Sequence, residues 1–97
     1  MITWLRRVLF GPYRLWLFDD GERHWISAAS LDDAYLVYLD CYGADGVDAI
    51  TECRLTVAPV FPLKRVRVVM DDGTVQTKMA YRWCKRDGRG LIASSVF

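Results

Sequence analysis

The only histidine of the 97-residue sequence, His24, lies four residues after Asp20 and two after Glu22. An imidazole beside carboxylates is the start of a nucleophile–base relay. Such a relay also needs a serine or cysteine within reach, and a third group to orient the base. Cys41, Cys53 and Cys84 are the thiols on offer, but no motif sets one of them beside His24. The reading is therefore a strand-end histidine, no catalytic residue and no enzyme. Cys84 is flanked by Arg82, Lys85 and Arg86, which favour a thiolate where the site is exposed. On a half-buried sheet face it is a small packing residue.

Metal and cofactor chemistry find little support. Three cysteines without a CxxC pair argue against both a disulfide framework and a zinc site, and fit a reduced, cytoplasmic setting. Asp40, Asp45, Asp48 and Glu52 lack the alternating spacing of a calcium loop. The glycines fall in Asp-Gly turns and chain breaks, not in a phosphate-binding loop. No metal and no cofactor are expected.

Binding chemistry is better represented. In RLWLFDDGERHWIS (residues 14–27), a turn centred on Asp20-Gly21 sets Trp16 opposite Trp25. Side chains alternate across a strand, so Tyr13, Leu15, Leu17, Ile26 and Ala28 make one face, a natural core. Arg14, Trp16, Phe18, Arg23 and Trp25 make the other. Trp and Arg are enriched at binding hot spots, and aromatics with arginines also stack and clamp single-stranded nucleic acid. A covering layer from the Trp4/Leu5/Val8 segment is the structural alternative. A second face gathers Arg65, Arg67, Lys78, Arg82, Arg86 and Arg89. A turn on Asp72-Gly73 puts Arg67 opposite Lys78, a like-charge pair that calls for solvent, the acidic helix or an anionic partner. A longer Asp-Asp-Gly loop would break that register.

The elements that position these faces are legible from caps and turns. SLDDAYLVYLDCYG reads as the principal helix, 30–43, with Ser30 as N-cap, Asp33 at the third position and Gly43 as terminator. Residues 3–10 read as a short helix or an edge strand. AITECRLTVAP alternates as a strand. Residues 64–97 read as a three-strand meander with turns at Asp72-Gly73 and Asp87-Gly88. The expected fold is α+β: an N-terminal hairpin and a C-terminal meander, mostly antiparallel, with one principal helix in a single small domain over 1–97.

Charge is unevenly distributed. Residues 1–18 carry three arginines and no acid, 19–52 nine acids against Arg23, and 53–97 nine bases against three acids, for a net charge of +1. The halves either neutralise each other or divide the surface. No secretory leader is evident, and no apolar run approaches the ~20 residues that span a bilayer. These features point to a small non-enzymatic, intracellular interaction protein that docks on a larger protein or ribonucleoprotein. Chains of this size without catalytic motifs are frequent among phage and mobile-element inhibitors of host defence. A single-stranded nucleic-acid-binding module and a homodimer joined through the Trp face are the alternatives.

Overall fold

The structure is a computed structural model that describes residues 9–70 and 72–96. The expected element over residues 3–10, with its Trp4/Leu5/Val8 cover, lies largely outside them. The elements run β1 (Arg14–Asp19), β2 (Glu22–Ala28), α1 (Leu31–Thr51), β3 (Thr56–Pro59), β4 (Arg65–Val69), β5 (Val75–Met79), α2 (Ala80–Asp87) and β6 (Gly90–Val96). The fold is α+β with antiparallel sheets, as expected. The main sheet has the order β3-β1-β2-β6, and β4-β5 is a separate hairpin.

The sheet is covered on both faces. Phe18, Ile26 and Ala28 pack against Ala34, Val37 and Tyr38 of α1. On the reverse, Leu15 packs with Val66 and Val68 of β4 and with Ala80, Trp83 and Cys84 of α2. Two buried faces explain why β1 is apolar at nearly every position. No described helix is long and apolar enough to cross a membrane.

α1 begins as the sequence indicates. The Ser30 hydroxyl accepts the Asp33 N–H (3.1 Å), and Asp33 accepts the Ala29 N–H (3.3 Å). It does not end at Gly43. There the backbone turns through a left-handed conformation (φ 53°, ψ −124°), and the chain resumes as helix to Thr51. The terminator breaks the helix without stopping it, and ADGVD is helical where a turn was expected.

The meander is corrected at its third strand. Residues 80–87 form α2, and β6 pairs with β2 across the main sheet instead of with β5. Ala80, Trp83 and Cys84 recur at i, i+3 and i+4, and all three are buried while Arg82, Lys85 and Arg86 point outward. Gly88 (φ 68°) donates its N–H to the Cys84 carbonyl at 2.8 Å and closes the helix. Asp-Gly served the expectation of a hairpin because both a hairpin turn and a helix end use positive φ.

Both hairpin registers are shifted by one residue. Leu17 faces Trp25 and Phe18 faces His24. In the second hairpin Arg67 faces Thr77 and Lys78 faces Val66. The turn before β5 is the longer one whose effect the sequence foresaw, with Gly73 at φ 87° and a Met70 N–H to Thr74 carbonyl bond of 2.7 Å. The expected clash between Arg67 and Lys78 is absent because of that shift.

Candidate functional site

The shift in β1–β2 divides the expected Trp face. Arg14, Trp16 and Phe18 lie on the α1 side, with Phe18 fully buried. Trp25 and Arg23 lie on the other side, where Trp25 packs beneath β4 and α2. Trp16 is half-buried and donates to the Ala28 carbonyl at 3.3 Å. The five residues thus form no common surface, and an isologous contact through paired tryptophans loses its basis.

Four residues of the expected basic face, Arg65, Lys78, Arg82 and Arg86, line two adjoining clefts, but not as one face of a sheet. Lys78, Tyr81, Arg82, Lys85 and Arg86 line an open cleft of about 460 Å³. Arg65, Thr77, Lys78, Met79 and Arg82 line a second of about 370 Å³ that shares Lys78 and Arg82 with it. Neither lining contains a carboxylate. The cations come from three places: Arg65 and Lys78 from opposite faces of the β4–β5 hairpin, where Arg65 pairs with Met79 and Lys78 with Val66, and Arg82, Lys85 and Arg86 from the outer side of α2. Trp83 anchors the arrangement. It is 0% exposed, donates to the Val66 carbonyl at 3.0 Å, and has Lys78 Nζ and Arg86 Cζ over its ring at 4.6 and 5.4 Å. Tyr81 stands in the cleft with Lys85 Nζ 5.6 Å above its ring, and Arg82 Nε donates to its hydroxyl at 3.2 Å. Only Arg86 has a described carboxylate partner here, Asp87 at 3.6 Å.

Arg67 and Arg89 fall outside this groove. Arg67 lines a small cleft with Trp25, Val68 and Ala93. Arg89 reaches the other face of the sheet and pairs with Asp33 at 2.7 Å, which holds the Asp33 carboxyl below its ordinary range. Lys85 and Tyr81 were not anticipated, since the residues were read as strand.

His24 is the larger departure. The expected strand-end histidine is the third residue of β2 and is 1% exposed, between the sheet and α1. Its Nδ1 lies 2.8 Å from Ser94 Oγ, its cross-strand neighbour on β6, and 2.8 Å from the Tyr42 hydroxyl. Its Nε2 lies 3.1 Å from Asp20 Oδ1. The Tyr38 hydroxyl donates to Asp20 Oδ2 at 2.6 Å, and the Tyr42 and Ser94 oxygens are 2.8 Å apart. Burial pushes the Asp20 carboxyl up. Hydrogen bonds from Tyr38, the Glu22 N–H and His24 outweigh it, so the carboxyl sits below its ordinary value. Burial and the Asp20 contact raise Tyr38; burial raises Tyr42, against the Ser94 hydrogen bond. The sequence held two signals, Asp20/His24 and Tyr38/Tyr42, each four residues apart. Ser94 joins them only once β6 is placed beside β2.

Cys84 is buried, whereas Cys41 and Cys53 are exposed. No group of three or more His, Cys, Asp or Glu suited to a metal occurs among the described residues. No known family model matches the chain, and no curated protein and no solved structure matches it.

Proposed function

We propose that this protein is an intracellular docking module that sets the cationic groove of β4, β5 and α2 on an acidic surface of a larger protein. The observation that carries this reading is the convergence of Arg65, Lys78, Arg82, Lys85 and Arg86 on clefts with no carboxylate in their linings. Exposed apolar groups lie on the same hairpin as Arg65 and Lys78. Val69 and Val75 form a cross-strand pair on the hairpin, 68% and 46% exposed. Arginine beside apolar surface, with little acid, is the composition of a protein interface. An inhibitor that covers an acidic surface on a host assembly is one form of this docking.

Nucleic acid is the second reading, favoured by one feature. Phe61 is 64% exposed in the turn whose Pro62 carbonyl accepts the Tyr81 N–H at 3.0 Å. A stacking platform needs successive open rings. Here Trp83 is buried and Tyr81 is covered by Phe10, at 5.3 Å, and by Lys85. That weighs toward protein.

Fluorescence anisotropy with a labelled acidic peptide and with a short oligothymidylate separates the two. The docking reading expects salt-sensitive binding of the peptide. Arg82→Gln with Lys85→Gln and Arg86→Gln should slow association about tenfold or more, since surface charge acts chiefly on the encounter rate. Tight oligothymidylate binding with none to the peptide would transfer the groove to nucleic acid.

A further inference from the structure

We propose that Ser94, His24 and Asp20 form a nucleophile relay that makes Ser94 an acyl-accepting serine toward small, solvent-presented esters. This goes beyond the docking role and uses none of the groove residues.

Each role has an occupant. The Asp20 carboxyl, held below its ordinary range, accepts from His24 Nε2 at 3.1 Å in the Nε2–H tautomer, which leaves the Nδ1 lone pair as the base. That lone pair faces Ser94 Oγ at 2.8 Å, within the reach of a general base, and the Tyr42 hydroxyl at the same distance. The two ring nitrogens are exchanged relative to the familiar serine-hydrolase order, but the roles are defined by geometry and not by atom name. Asp20 is itself held by the Tyr38 hydroxyl at 2.6 Å and the Glu22 N–H at 3.1 Å. Its position is therefore fixed from the helix and from the hairpin. The Tyr42 hydroxyl lies 2.8 Å from Ser94 Oγ and can donate to it, which turns the Ser94 proton toward Nδ1.

Access also fits. The base is 1% exposed, whereas Ser94 is exposed on the outermost strand of the sheet. The clefts that Ser94 borders are lined by Val68, Val69 and Ala93, on the far side of the sheet from its hydroxyl.

The chemistry balances. Ser94 Oγ forms a bond to the acyl carbon and passes its proton to His24 Nδ1. The C–O bond of the ester breaks, and the imidazolium returns the proton to the departing alkoxide. Water then attacks the acyl-serine, gives a proton to Nδ1, and releases the carboxylic acid as Oγ takes that proton back. The sum is ester plus water to acid plus alcohol.

The test is labelling of the intact chain by an alkyl fluorophosphonate, followed by mass spectrometry of the peptides. In that reaction Oγ–P forms, P–F breaks, fluoride leaves and the proton goes to His24. Ser30, an exposed serine that only caps α1, is the internal reference. We expect Ser94 to be labelled at least 100-fold faster than Ser30, with Ser94→Ala unlabelled at that peptide. His24→Gln should lose most of the excess, and Tyr42→Phe should slow labelling while circular dichroism stays native. Equal labelling of Ser94 and Ser30 in the wild-type protein overturns the proposal, whatever the variants do. So does fast labelling of Ser94 that persists in folded His24→Gln.

Discussion

Asp20 shows how one side chain joins stability to pH. Its carboxyl is lowered in the fold, so the folded state holds the ionised form more strongly than the unfolded chain does. The associated stability is present above the ordinary carboxylate value near 3.8 and is lost as pH falls through the lower folded value. Acid denaturation followed by tyrosine fluorescence should therefore steepen below about pH 4 in the wild-type protein. Asp20→Asn should flatten that dependence and lower stability at neutral pH. An unchanged acid profile would mean that Asp20 is equally satisfied in the unfolded chain. Gly46 supplies a second residue-scale expectation. A Cβ there would lie 3.1 Å from Tyr38 Cε2, and Tyr38 is held by Asp20 and by its stack on Phe18 at 5.0 Å. Helix propensity alone favours Gly46→Ala by about 1 kcal/mol. Because the ring has no room to retreat, we expect the substitution to lower the melting temperature instead.

At the scale of elements, sequence and structure part where two periodicities compete. Residues 79–87 carry alternating apolar positions, Met79, Tyr81 and Trp83, and also a helical set, Ala80, Trp83 and Cys84. Tertiary packing selected the helix, because it seats Trp83 under β4 and leaves three cations in solvent. The turns were legible as Asp-Gly pairs, whereas the registers were not. A loop lengthened by one residue exchanges the faces of a strand, and nothing within the turn announces it. That single step divided Trp16 from Trp25 and dissolved the expected aromatic surface. The start of α1 was legible because its cap is local, and its continuation past Gly43 was not, because the second half is held by contact with Tyr38. Ser94 was illegible for the same reason: its meaning depends on a strand neighbour 70 residues away. The helix reading of α2 has a direct check. Gly88 occupies φ 68°, ψ −152°, a region nearly closed to other residues. Gly88→Ala should cost about 1–3 kcal/mol in urea unfolding. A cost near zero would remove the close of α2 described above. Trp83→Ala should cost about 3–5 kcal/mol, since it empties the centre of the second core and leaves the Val66 carbonyl without its donor.

For the whole molecule, the three layers settle how the charge is shared. α1 carries five aspartates and no lysine or arginine, and it covers one face of the sheet. The cationic groove covers the other. Asp33–Arg89 is the described ion pair that links α1 to the basic part of the chain. The charged halves therefore divide the surface more than they neutralise each other. The thinnest dimension is 18 Å, roughly twice the screening length of about 8 Å at physiological salt. Each face thus presents its own sign to an approaching partner.

A chromatographic consequence follows from that layering. A net charge of +1 would ordinarily mean weak retention on any ion exchanger near neutral pH. Two faces of opposite sign let the protein lie α1-down on a quaternary-ammonium resin and groove-down on a sulfonate resin in the same buffer. We expect retention on both at low ionic strength. Neutralising Arg82, Lys85 and Arg86 should abolish the second while leaving the first, and Asp40→Asn with Asp45→Asn and Asp48→Asn should do the reverse. A protein that flows through both columns would have its charges intermixed, whatever its fold.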